Sequence, residues 1–201
     1  MQKLHYDTPK NLLALIDPIR PADAGRWNIL DLGCGTGLTG LEVAAYANQL
    51  VGVDLSAKML EKARARNLYH RLEHKEMVAM MAEEPAASYD LVIATDVFIY
   101  IGKLDDVVRA AKRLLRPGGL LAFSVEALET LADAPSNQSP AQDYLLQTAP
   151  SCRYAHSSPY LQRLASDNAF RVGQMTTTQR RESEGKSLRG HLVVLEKSHA
   201  D

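Results

Sequence analysis

Two hydrophobic rhythms alternate along the chain. Trp27–Leu32, Leu50–Asp54, Tyr89–Thr95 and Leu120–Glu126 are short, nearly continuous apolar runs, the pattern of strands buried on both faces of a parallel sheet. Between them, apolar residues recur three and four positions apart: Leu38–Ala47, Ala57–Arg66 (Met59, Leu60, Ala63) and Leu104–Leu115 (Leu104, Val107, Val108, Ala111, Leu114, Leu115), each one face of a helix. Strands alternating with helices predict βαβ units with right-handed crossovers. Ahead of them, in the segment 1–22, Thr8 as N-cap and Pro9 at the first position predict a short helix over Asn11–Ile16 that Pro18 and Pro21 end.

The remaining elements follow from caps and turns. Ser56 caps the helix at Ala57, Arg71–Glu76 reads as a short edge strand, and Met77–Met81 start a helix whose methionines fill core. Arg116-Pro117-Gly118-Gly119 is expected to stop a helix and turn into the next strand. Ser158-Pro159 caps a helix over Tyr160–Asp167, and Phe170–Thr178 with Gly190–Lys197 predicts an antiparallel hairpin through the polar tip Glu182–Lys186. From Ala127 to Pro150 the pattern fades among Pro135, Ser136, Asn137, Ser139 and Pro140, so 127–158 is expected to be a loop or substrate cap. No repeat or internal boundary is visible, and 1–201 reads as one domain.

Composition narrows the classes. The chain has 201 residues, 46% of them apolar, enough for one sizeable core. A net charge of −1 gives no overall basic field for nucleic acid, although Arg109–Arg116 and Arg180-Arg181 are locally basic. No run approaches the roughly 20 apolar residues that span a bilayer, and no signal peptide is visible. Cys34 falls in a glycine loop, a poor place for a disulfide partner to Cys152, so a reduced, cytoplasmic setting is expected. No Cys/His spacing suggests zinc, and no metal is expected.

The chemistry concentrates in Asp31-Leu32-Gly33-Cys34-Gly35-Thr36-Gly37. Glycines at alternate positions let a backbone turn sharply and lie against a ligand. Gly35-x-Gly37-x-x-Gly40, with Asp54 19 positions after Gly35, satisfies a dinucleotide fingerprint. Counted from the strand end, the first glycine is Gly33, and Leu38 then occupies the third glycine's place; an acid inside the strand, Asp31, is also foreign to that fingerprint.

The run Ile29–Gly37 resembles the first motif of class I S-adenosylmethionine-dependent methyltransferases. Val51–Ser56 with Met59-Leu60 is similar to the second motif, Tyr89–Asp96 to the motif at strand four, and Leu114–Gly119 to the turn before strand five. The resemblance implies a Rossmann-like α/β fold: a seven-stranded, mostly parallel sheet in the order 3-2-1-4-5-7-6, the last strand antiparallel, with helices on both faces. It implies S-adenosylmethionine as cofactor, with S-adenosylhomocysteine as product. It places Asp31 near the cofactor's cationic end and Gly33, Cys34, Gly35 and Gly37 beneath it. Asp54 would take the ribose diol, Leu55 and Met59 would lie beside it, Glu76 and Met77 would form the adenine pocket, and Asp96 would face the transferred methyl. Asp96 could equally cap the turn that follows it.

The acceptor side is less legible. Tyr6, Tyr100, Glu126, Tyr144, Arg153, Tyr154 and His156 are candidates, with Asp96, Glu126 or His156 as possible general bases; a surface or structural role competes for His156. A small-molecule acceptor is expected. Arg66–Tyr69, Ala94–Gly102, Phe123–Glu126 and Arg153–Ser157 are similar to methyltransferases that carry tetratricopeptide repeats upstream, which implies a possible fusion to such repeats. Two other readings stand beside this one: a nicotinamide-dependent oxidoreductase, and a binding module of the same fold without turnover.

Overall fold

The structure is a computed structural model that describes residues 7–20, 25–128, 142–147, 152–183 and 186–199. Its strands are β1 Trp27–Leu32, β2 Ala47–Asp54, β3 Arg71–His74, β4 Tyr89–Ala94, β5 Leu115–Ala127, β6 Tyr144–Leu146, β7 Tyr154–His156, β8 Phe170–Ser183 and β9 Lys186–Lys197. Its helices are α1 Thr8–Ile16, α2 Leu38–Val43, α3 Ala57–Arg64, α4 Met77–Glu83, α5 Asp105–Leu114 and α6 Ser158–Asp167.

β3, β2, β1, β4 and β5 form a parallel sheet in that spatial order. β9 pairs antiparallel with β5, and β8 antiparallel with β9. With β8 and β9 as the sixth and seventh long strands, this is the expected order, and β9 is the antiparallel one. The sheet has nine strands rather than seven, because β6 and β7 add a short antiparallel hairpin within 127–158. At three residues each, these strands are too short for an alternation signal.

The continuous apolar runs divide by parity. Leu30, Leu32, Val92 and Ala94 face a core shared with α4, α5 and α6, whereas Ile29, Leu91 and Ile93 face one shared with α1 and α2. Both faces are covered, so both parities are mainly apolar, with Asp31 in β1 a buried exception. Met80 and Met81 are fully buried in the first core, as expected of core filler.

Several local expectations shift. Thr8 is the first helical residue of α1 and is buried, with Asp7 at the N-cap. Ser157, not Ser158, caps α6 by accepting the Tyr160 N–H. α2 is only six residues, followed by a 3-10 turn over Ala44–Tyr46 that frees Ala47 to begin β2. Arg116–Gly119 lies inside β5: the ladder steps from Tyr89↔Leu115 to Leu91↔Leu120, and the extra residues bulge out, with Gly118 at φ 76°. The Arg116 guanidinium clamps this bulge by reaching both Asp90 oxygens at 2.7 and 2.8 Å.

β7 is placed by two residue pairs, Glu126↔Ala155 and Ala127↔His156. Glu126 faces Gly190 of β9 across one edge of β5 and Ala155 of β7 across the other. That second edge is the one β4 uses up to Ala94↔Phe123. The β6–β7 hairpin therefore stands just past the carboxyl end of β4.

Candidate functional site

A cavity of about 380 Å³ opens at the carboxyl ends of β1, β2 and β4, where an open α/β sheet binds ligands. The turn after β1 gives Gly33, Cys34, Gly35 and Thr36, and α2 adds Leu38 and Thr39. The end of β2 and the start of α3 give Asp54, Ser56 and Met59; the turn after β4 gives Thr95, Asp96, Val97 and Tyr100. Asp54 and Asp96 are acidic, and none of the lining residues is Lys or Arg.

The glycine turn is held from several sides. Gly33 has φ 62°, and a Cβ there would run into the Val97 side chain, so Val97 packs against bare backbone. Gly35 has φ 55° and open space around a would-be Cβ, the nearest atom being 3.9 Å away. The Gly35 N–H donates to Asp54 Oδ2 at 2.9 Å, and the Ser56 N–H donates to Asp54 Oδ1 at 2.7 Å. Asp54 thus ties the turn after β1 to the end of β2, and each oxygen retains lone-pair capacity. Arg66 Nε donates to the Thr36 carbonyl at 2.6 Å, fastening the turn to the end of α3.

Asp31 lies outside the cavity lining and fully buried. Its Oδ2 accepts from the Tyr69 hydroxyl at 2.6 Å; among the described residues its Oδ1 has no partner. Burial pushes its pKa from 3.8 up to about 7; the Tyr69 hydrogen bond opposes that rise and the Asp54 charge adds to it. The Tyr69 ring fills the volume that Cβ atoms would need: one at Gly40 would lie 2.7 Å from its hydroxyl, and one at Gly52 2.8 Å from its ring. Sequence reading missed Tyr69 in this role, since the partner stands 38 positions from Asp31.

On the β4 side, Asp96 adopts φ 55°, a left-handed conformation that costs a non-glycine residue energy. Its N–H donates to Ser124 Oγ at 2.9 Å, and that hydroxyl donates to Asp96 Oδ1 at 3.2 Å. Ser124 in β5 thus fixes the Asp96 backbone and side chain together. Thr39 and Thr95 hydroxyls, 2.6 Å apart, join α2 to the same turn; no linear motif marks that pair.

The remaining sequence candidates lie elsewhere. Gly37, at φ 81°, is the residue before α2 and is outside the lining, and Leu55 is 69% exposed beyond it. Glu76 caps α4, its two oxygens accepting the Val78 and Ala79 N–H groups at 3.0 and 2.8 Å; Met77 packs against the core. Neither lines the cavity. His156 is fully buried, its Nε2 2.9 Å from the Gly102 carbonyl and its ring stacked on Tyr160 at 5.9 Å. Desolvation pushes its pKa down to about 4. It is a neutral strut for the turn after β4, walled off from the cavity. Cys34 and Cys152 are free thiols, and burial raises the Cys34 pKa. Tyr6 falls outside the described residues. Among the described residues, no group of three His, Cys, Asp or Glu side chains could hold a metal, and no helix is long and apolar enough to cross a membrane.

Comparisons with known proteins converge on this geometry. Residues 29–119 match the family model described as a methyltransferase domain. A ubiquinone biosynthesis O-methyltransferase of Paracidovorax citrulli is 33% identical over 125 residues, 60% of this chain and 51% of that protein. The chain spans about half the length of that relative. Among solved structures, an S-adenosylmethionine-dependent methyltransferase of Methanosarcina mazei superposes with TM-score 0.70 at 17% identity, covering 92% of this chain and 97% of that one. Magnesium protoporphyrin IX methyltransferase of Synechocystis with bound S-adenosylhomocysteine gives 0.68 at 18%, covering 96% and 83%. The fold is that of the class I S-adenosylmethionine-dependent methyltransferases. Residues 29–119, which carry the glycine turn, Asp54 and Asp96, are the part that matches the methyltransferase-domain model.

Proposed function

We propose that the protein transfers a methyl group from S-adenosylmethionine to a small-molecule acceptor. The observation that carries this reading is the charge of the cavity lining: Asp54 and Asp96 belong to it, none of its residues is Lys or Arg, and Asp31, outside it, has a carboxylate oxygen with no partner among the described residues. Such a site suits a sulfonium and an ammonium. A dinucleotide would bring a pyrophosphate against a lining that has two carboxylates and neither Lys nor Arg, which disfavours the oxidoreductase reading.

The residues fit the cofactor. Gly33 and Gly35 leave bare backbone along the cavity wall, Asp54 has lone pairs for a diol, and Asp31 Oδ1 has one for an ammonium, directly or through water. Met59 extends that cradle along the wall with Gly37 and Leu55 beyond it, and the cap that Glu76 makes on α4, which begins at Met77, supports the adenine side. When bound, S-adenosylmethionine supplies an electrophilic methyl on a good leaving group. The chain's own task is then to align the acceptor, exclude water and accept a hydrogen bond from it at Asp96. Positioning of this kind can supply on the order of 7–11 kcal/mol.

The ubiquinone O-methyltransferase relative supports a small-molecule acceptor, and a cytoplasmic setting agrees with two free thiols. The likeness of Arg153–Ser157 to repeat-carrying methyltransferases supports a finer subtype with tetratricopeptide repeats upstream. Calorimetric titration with S-adenosylhomocysteine and with NADH tests the reading: binding of the first alone is expected, and binding of NADH alone refutes it. Labelled methyl transfer into a metabolite extract then separates turnover from a binding module.

A further inference from the structure

Past the floor of the cavity, β5 carries a second set of polar groups. Ser124, which fixes Asp96, and Glu126 are two apart and so project from the same face of β5. Glu126 is 4% exposed. Its Oε2 accepts from Gln147 Nε2, just past β6. Its Oε1 faces Arg153 Nη1, just before β7, at 3.5 Å. The Arg153 guanidinium in turn lies over the Tyr100 ring, 5.9 Å from its centroid, and Tyr100 lines the cavity. The β6–β7 hairpin thus delivers one cation to the rim of a cavity whose charged lining residues are both carboxylates.

The state of that cation is unusual. The Arg153 side chain is only 23% exposed, yet among the described residues its guanidinium makes no hydrogen bond: it has the 3.5 Å ion pair and the ring contact. A guanidinium has five N–H donors in a planar fork, and most of these are unspent. Other arginines of the chain spend donors on carbonyls even where they are exposed, Arg113 on Met81 and Arg66 on Thr36. The Tyr100 ring on one side and Glu126 on another hold the guanidinium in place, and its planar fork of donors matches a flat carboxylate in bidentate fashion. Glu126 offsets one unit of charge, so the site favours a monoanion over a phosphate dianion.

We infer that Arg153, oriented by Glu126 and Tyr100, binds a carboxylate on the methyl acceptor. The acceptor then bridges from Asp96 to Arg153, with its reacting atom and its carboxylate at opposite ends. The β5 residues that hold the two ends, Ser124 for Asp96 and Glu126 for Arg153, are about 7 Å apart, the rise of two strand residues. The class is small monocarboxylates carrying a remote nucleophile. This rests on the methyltransferase reading above and deepens it.

The test is calorimetry on the full chain saturated with S-adenosylhomocysteine. It is titrated with matched carboxylate and amide pairs: 4-hydroxyphenylacetate against 4-hydroxyphenylacetamide, and 6-hydroxyhexanoate against its amide. At least one carboxylate is expected to bind tenfold or more tightly than its amide. Arg153→Gln should abolish that preference, and Arg153→Lys, which keeps the charge and loses the fork, should retain only part of it. Affinity for S-adenosylhomocysteine should stay within twofold in both variants. If Arg153→Gln does not fold, Arg153→Lys carries the comparison. A carboxylate preference absent from every pair, or surviving unchanged in both variants, overturns the assignment, as does tighter binding of inorganic phosphate than of either carboxylate. If S-adenosylhomocysteine does not bind the unmodified protein, it is the methyltransferase reading that fails.

Discussion

Replacing Asp31 by Asn should make the protein more stable as pH rises, by an amount the structure sets. In the folded state the Asp31 carboxyl titrates at about 7, raised chiefly by burial from 3.8. Between those values the folded protein holds a proton that the unfolded chain has released, so wild-type stability falls as pH rises through the window. A gap of about 3 pKa units at about 1.4 kcal/mol each gives on the order of 4 kcal/mol. Asn cannot ionise and removes that slope. Its amide oxygen can still accept from Tyr69, while its NH2 takes the place of Oδ1, which has no described partner. That orphaned donor costs about 1–3 kcal/mol, but equally at every pH. The observable is therefore the difference in unfolding free energy between Asp31→Asn and wild type, measured by urea titration from pH 4 to pH 8. It should climb by about 4 kcal/mol in favour of the variant and flatten above pH 7. A difference that stays level across that range refutes the account of Asp31 as a dry, uncompensated carboxyl. The same variant should bind S-adenosylhomocysteine more weakly at pH 8, which makes Asp31 a residue that trades stability for a ligand.

Four further outcomes follow from other contacts. Tyr69→Phe removes the 2.6 Å bond to Asp31 and should cost about 1–3 kcal/mol in urea unfolding, more at pH 8 than at pH 5, because a bond to the charged form is the stronger. Asp54→Ala should weaken S-adenosylhomocysteine binding by roughly 1.5–3 kcal/mol in calorimetry, and unchanged affinity would remove Asp54 from the site. His156 titrates near 4 when folded against 6.5 unfolded; its contribution is intact above pH 6.5 and is lost as pH falls toward 4, about 3 kcal/mol in all, and His156→Gln should abolish that slope. Gly33→Ala places a Cβ in the Val97 side chain at φ 62°, so it should destabilise by about 2 kcal/mol or more, with Val97→Ala in the same chain restoring part of the loss.

What the sequence alone determined is whatever depends on local pattern. Continuous apolar runs required a sheet covered on both faces, the helical spacing between them required parallel crossovers, and alternate glycines after Leu32 required a tight turn at the end of β1. Asp54 and Asp96 were legible as cavity residues because each stands at the carboxyl end of a strand, β2 and β4, a position that linear spacing marks. The tertiary structure decided what lies across strands. Tyr69 reaches Asp31, Ser124 fixes Asp96, and Glu126 meets Arg153 at separations of 38, 28 and 27 residues, where no periodicity links the partners. It also moved His156 from candidate base to buried strut and turned Glu76 to the start of α4, because burial and side-chain direction are set by neighbours. Above all, it placed the β6–β7 hairpin beside the end of β4. Three-residue strands have no pattern of their own, and only pairing with the far end of β5 gives them a place.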